Sequence, residues 1–148
     1  MISDNENDWL EITRGIIFPA QCDHYGHMNV RYYTHFFDDG TFLIWSCIGV
    51  DMREVHASGV HTVIAKSTIE YHHEMRAGDC PLIIGQFTRV GEKSVTVALK
   101  MLDAVTREVR ASQETVIVFF DAETRRSAPI PAGVRECVES AIVGPNEN

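Results

Sequence analysis

An aromatic and aliphatic run from Val30 to Val50 contains no proline, and a compact polar knot, Asp23-His24-Tyr25-Gly26-His27-Met28-Asn29, stands immediately before it. A proline inside such a run would break a helix, so its absence permits one long helix over the whole stretch. Asn29 suits the N-cap, where its side-chain oxygen can accept from an exposed amide, and Gly49 suits the stop. Tyr33, Phe36, Phe37, Leu43, Ile44, Trp45 and Ile48 spread apolar groups around most of the circumference. That distribution predicts a helix buried on all sides. Gly40 in its middle costs about 1 kcal/mol relative to alanine, which implies a close-packed neighbour that needs the space.

Either side of this helix the texture is β. Leu10, Ile12, Ile16 and Phe18 fall on even positions before Pro19, the period-2 pattern of a half-buried first strand. Val60 to Glu74, Pro81 to Val90, Ser94 to Leu102 and Val109 to Phe120 are rich in Val, Ile, Thr and Phe. Turn residues separate them at Ala77-Gly78-Asp79, Gly91-Glu92-Lys93 and Asp103-Ala104-Val105-Thr106. Connections this short predict antiparallel neighbours. Ala132 to Val143 has room for a terminal helix, ended by Gly144-Pro145. About five strands expose one apolar face, and a single greasy helix laid on that face buries both. The expectation is an α+β fold with a five-stranded antiparallel sheet wrapped around one long central helix.

Length and charge narrow the function. The 148 residues suit one domain, 1–148, with a polar leader over 1–8 and a helix and tail over 129–148. A net charge of -8, from 21 acidic and 13 basic residues, makes nucleic acid and anionic membrane surfaces poor partners. An anionic ligand would need a small local basic patch, for which Arg76, Lys93, Arg125 and Arg126 are the candidates. Cys22, Cys47, Cys80 and Cys137 form no C-x-x-C pair and read as buried small hydrophobes. No basic or apolar leader and no spanning apolar stretch is visible, so the cytoplasm is the expected compartment.

The reactive groups concentrate in the knot before the long helix. Amides of a helix's first turn carry partial positive charge and can hold a carbonyl oxygen as negative charge develops on it. A carboxylate beside that oxygen can attack the acyl carbon or deprotonate water, and Asp23 is the available one. The plainer role for Asp23 is an Asx turn or cap, and for His27 the satisfaction of turn backbone groups. His24 and His27 have H-x-x-H spacing and His72-His73-Glu74 offers more donors, yet adjacent strand residues point to opposite faces and serve one ion poorly. No metal is expected. Tyr32, Tyr33, Phe36, Phe37, Phe42 and Trp45 suit either an acyl pocket, including one that boxes a quaternary ammonium, or the core.

The motif Asp23-x-x-Gly26-His27-Met28-Asn29, followed by Tyr33 and Phe36-Phe37-Asp38, resembles the signature of 4-hydroxybenzoyl-CoA thioesterase-like hotdog proteins. Tyr71-His72-His73-Glu74-Met75-Arg76-Ala77-Gly78-Asp79 is similar to that family's strand ending in a Gly-Asp turn, and the likeness spans Ile12 to Val138. It implies the hotdog fold and hydrolysis of an acyl-CoA thioester without cofactor or metal. It implies further that Asp23 is nucleophile or general base, that Gly26 makes the turn, and that His27 and Asn29 shape the loop and orient Asp23 or water. The amide near Val30 would polarise the thioester carbonyl, with Tyr33, Phe36, Asp38 and Arg76 toward the substrate. A homodimer or homotetramer with the site at the subunit interface is also implied. Val30 departs from the family, many of whose members carry a second asparagine there. Two rivals stand beside this reading: a hydratase acting on an acyl thioester, and a non-catalytic acyl-CoA-binding or assembly module.

Overall fold

A computed structural model of the chain describes Ile2 and residues 4–142. Its elements run β1 (Leu10–Arg14), α1 (Val30–Cys47), α2 (Met52–Ala57), β2 (Val60–Tyr71), β3 (Pro81–Val90), β4 (Ser94–Asp103), β5 (Val109–Asp121) and α3 (Ala132–Ala141). The strands form one five-stranded antiparallel sheet in the order β1-β3-β4-β5-β2. The helix α1 lies across one face. This is the expected helix-on-sheet architecture.

Period-2 alternation sets the two faces. Val95, Val97, Leu99 and Met101 of β4 turn toward α1 and are buried, together with Ala111, Ile117 and Phe119 of β5. From the helix, Phe37 and Ile44 are fully buried and Tyr33, Phe36 and Trp45 nearly so. Each such side chain contributes about 1.5–3 kcal/mol on leaving water. A Cβ on Gly40 would stand 2.7 Å from Ile83 Cγ2, so the glycine lets the helix backbone lie close against the sheet. On the opposite sheet face Trp9, Leu82, Ile84, Ala98 and Leu102 form a smaller cluster, with Lys100 Nζ 4.2 Å from the centre of the Trp9 ring. Arg107 ties the N-terminal segment over that cluster through Glu6 and Glu11.

Several expectations need correction. The helix is not buried on all sides: Phe42 is 69% exposed, Leu43 44% and Val30 60%, so the apolar stripe is wider than the sheet can cover. It ends at Cys47, and a short α2, N-capped by Asp51 onto Arg53 N, follows the Gly49 turn. The first strand stops at Arg14. A bulge between Glu11 and Thr13, and the close contact of Gly15 with the Phe36 ring, reverse the phase, so Ile17 is buried while Ile16 and Phe18 are exposed. The link from β2 to β3 crosses the sheet instead of forming a hairpin, placing β2 at an edge beside β5. The cysteines are free and none is fully buried, Cys47 being exposed. Val143 and Gly144-Pro145 lie outside the described residues.

Candidate active site

The loop between β1 and α1 is a closed turn. Asp23 N–H donates to His27 O at 2.8 Å and Gly26 N–H to Asp23 O at 3.0 Å. Gly26 has φ +78°, a left-handed conformation that costs a residue with a Cβ roughly 1–2 kcal/mol. The Asp23 carboxylate takes part through one oxygen only: Oδ1 accepts from Tyr25 N at 2.9 Å and His27 N at 3.3 Å. Thus the Asx-turn role and a chemical role are compatible. The turn fixes the side chain, and Oδ2 has no protein partner among the described residues.

The helix start is equally defined. Asn29 is the N-cap, its Oδ1 accepting from Arg31 N at 3.2 Å, and Tyr32 N donates to Asn29 O at 2.9 Å. Those bonds occupy two first-turn amides. The Val30 N–H has no partner among the described residues, which leaves a free donor at the positive end of an 18-residue helix. A carbonyl oxygen there would be polarised within the same loop that carries Asp23.

A second segment braces this loop from the other side. Met28 N–H donates to Met75 O at 2.7 Å, and His27 forms an isolated antiparallel bridge with Arg76. His27 Nε2 lies 3.1 Å from Glu74 Oε2, and Arg76 Nη2 lies 3.0 Å from Glu74 Oε1. The Arg76 hydrogen bond, and after it the nearby His27 and Arg110, hold the Glu74 carboxyl below the ordinary glutamate range. Arg110 Nη1 donates to Glu74 O at 2.9 Å, and Met75 N–H donates to the Tyr33 hydroxyl at 3.2 Å. Burial pushes the Tyr33 phenol upward.

Over residues 18–138 the sequence matches the thioesterase-like superfamily. The chain belongs to that superfamily. A protein of Rhizobium meliloti (strain 1021) named L-carnitine dehydrogenase/betainyl-CoA thioesterase is 28% identical over 115 residues, 78% of this chain. The alignment covers 23% of that longer protein. Among solved structures, SAV2348 of Staphylococcus aureus in complex with CoA superposes with TM-score 0.80 at 16% identity, covering 90% of this chain and 88% of that one. A 1,4-dihydroxy-2-naphthoyl-CoA thioesterase from Synechocystis gives 0.76 at 14% identity, covering 86% and 94%. At these identities the structures establish a shared hotdog fold.

Within this superfamily frame the predicted residues divide. Asp23, Gly26, His27, Asn29, Val30 and Arg76 come together around the loop. Tyr33 and Phe36 sit at the helix base but point into the core, 4% and 9% exposed, Tyr33 lying edge-on to the half-exposed Tyr71 at 5.1 Å. Asp38 is on the open face of α1 and touches none of the loop groups. Lys93, Arg125 and Arg126 gather at the opposite end of the sheet, where Lys93 Nζ reaches Ser127 Oγ at 3.5 Å. His72 and His73 diverge, to Ser112 at 2.9 Å and Glu108 at 3.4 Å. Among the described residues no three His, Cys, Asp or Glu side chains converge as metal ligands, and no helix is long and apolar enough to cross a membrane. Glu74, weighed from the sequence only as a further donor for a metal that was not expected, lies instead beside His27 and Arg76. Its place in the strand-to-turn segment with Arg76 was the available signal.

Proposed function

We propose that the chain hydrolyses a small acyl-CoA thioester, with the Val30 amide polarising the carbonyl and Asp23 acting as nucleophile or general base. The observation that carries this is the pairing of a carboxylate pinned through one oxygen with a free first-turn amide on the same short loop. In the general-base route Asp23 takes a proton from water, the hydroxide adds to the acyl carbon, and the tetrahedral intermediate expels CoA thiolate. In the nucleophilic route Oδ2 adds to the acyl carbon, the adduct expels CoA thiolate to leave an aspartyl anhydride, and water then hydrolyses the anhydride to the free acid and the Asp23 carboxylate. Arg76, exposed beside the loop, is the proposed contact for an anionic part of CoA. The CoA bound to SAV2348 and the superfamily match support the ligand class.

The betainyl-CoA thioesterase named in the Rhizobium relative makes a cationic acyl group the first to test, and the exposed face of Tyr71 beside Tyr33 is a surface a trimethylammonium group favours. The functional unit is proposed to be a homodimer or a tetramer built from it. The 12-residue β2 has its outer edge unpaired among the described residues, and Val63 and Ile64 on it stand next to the exposed Phe42. The test is thiol release from betainyl-, short-chain, branched and aromatic acyl-CoAs. Release from at least one supports the proposal; hydration leaves the thioester intact and releases no thiol, and tight binding without release favours a binding module.

A further inference from the structure

We infer that Arg110 is a positioning residue for the Asp23 loop, acting through the backbone of the segment from His72 to Arg76, which it fastens to the start of β5. The inference rests on the hydrolase reading for its effect on turnover and on hydrogen bonds alone for its geometry.

Arg110 stands at an irregularity in β5. The pairing of β4 with β5 passes from Met101–Ala111 to Leu102–Val109, so Arg110 is the extra residue of a bulge, a device that re-aims a side chain and breaks the ladder locally. On the other flank of β5, the pairing with β2 ends at Tyr71–Ala111. Beyond that point the chain leaves the sheet, and its backbone groups need new partners. Arg110 supplies them. Its carbonyl accepts from His72 N–H at 2.9 Å and from His73 N–H at 3.1 Å, and its Nη1 donates to Glu74 O at 2.9 Å.

The guanidinium is itself held. Nη2 lies 3.3 Å from Glu108 Oε2 and 3.5 Å from Asp103 Oδ2, and the Arg110 and Asp103 side chains are only 18% and 10% accessible. Ion pairs this sheltered are screened less than exposed ones. The next residue carries the restraint onward: Met75 N–H donates to the Tyr33 hydroxyl, and Met75 O accepts from Met28 N–H at 2.7 Å. Met28 and Cys22 are bridged across the base of the loop. Between them, Asp23 N–H donates to His27 O and His27 N–H donates to Asp23 Oδ1, the bonds that aim the carboxylate. From Arg110 Nη1 to Asp23 the path therefore runs through backbone groups, up to the carboxylate itself.

The experiment is amide hydrogen exchange, read by NMR on the wild-type protein and on Arg110→Lys, joined to thiol-release kinetics. Lysine keeps a cation for Asp103 and Glu108, but its single nitrogen cannot occupy both the Nη1 and the Nη2 positions. In the wild type the Met28 and His72 amides should exchange as slowly as those of the β2–β5 pairing. In Arg110→Lys the Met28 amide should exchange roughly tenfold faster while the β3–β4 pairing is unchanged, and kcat should fall about tenfold with KM little changed. Protection lost evenly over the whole sheet would mark a merely structural role and overturn the inference; so would unchanged Met28 protection, or faster Met28 exchange with kcat unaltered. A wild-type Met28 amide that exchanges as fast as an exposed loop overturns it without any variant having to fold. If the wild-type protein releases no thiol from any thioester, the hydrolase reading fails, and hydrogen exchange alone then decides whether Arg110 holds the loop.

Discussion

At the scale of single residues, the role proposed for Asp23 divides between its two carboxylate oxygens. Oδ1 accepts from the Tyr25 and His27 amides and so closes the turn, while Oδ2 has no protein partner among the described residues. Gly26→Ala should then be doubly harmful. It costs about 1–2 kcal/mol of stability from its positive φ, visible as a lower urea midpoint, and it lowers turnover by misaligning Asp23. Asp103 supports a pH prediction. The amides of Thr106 and Val105 and the Arg110 guanidinium hold its carboxyl below the ordinary aspartate range. A group whose folded value is depressed contributes stability that is present above its unfolded value and is lost as the pH falls through the folded one. Asp103→Asn should accordingly destabilise the protein more at pH 7 than at pH 3, with the wild-type loss setting in below about pH 4. Equal destabilisation at both pH values in urea titrations would show that the charge is not what matters.

At the scale of elements, α1 and the sheet meet through Gly40. Gly40→Ala improves helix propensity by about 1 kcal/mol, yet its Cβ would meet Ile83 at 2.7 Å, and overpacking a core costs about 1–3 kcal/mol. The net expectation is destabilisation; a raised melting temperature would show that Ile83 yields freely. The position of this glycine was legible from the sequence because an apolar helix rarely keeps one without a packing reason. The hairpins β3-β4 and β4-β5 were legible for a local reason as well, their turn residues standing between runs of β-branched side chains. The edge position of β2, the reversal of phase at the Glu11–Thr13 bulge and the exposure of Phe42 and Leu43 were not. Each depends on a partner distant in sequence: β5 for the first, β3 for the second, and for the third a sheet too narrow to cover the whole apolar stripe. In the site the same division holds. Asp23 to Asn29 is contiguous and was readable, whereas Glu74 becomes its neighbour only when the β2–β3 link folds back on the loop.

At the scale of the whole molecule, the sheet leaves β2 as an edge with Val63 51% and Ile64 40% exposed, next to the uncovered face of α1. A long apolar edge of this kind is unusual on a chain that works alone. Pairing of β2 with its copy would cover both. Ile64→Lys should then convert the protein to a monomer in size-exclusion chromatography with light scattering, and should reduce thiol release along with assembly. A wild-type monomer at micromolar concentration would remove the interface from the account. The central claim is narrower: a carboxylate at Asp23 drives thioester hydrolysis beside the free amide of Val30. Its most direct test is thiol release by Asp23→Asn against wild type on the best acyl-CoA substrate, with circular dichroism matched. The account predicts a fall in kcat of about 10² to 10⁴-fold, and turnover unchanged by the substitution would contradict it.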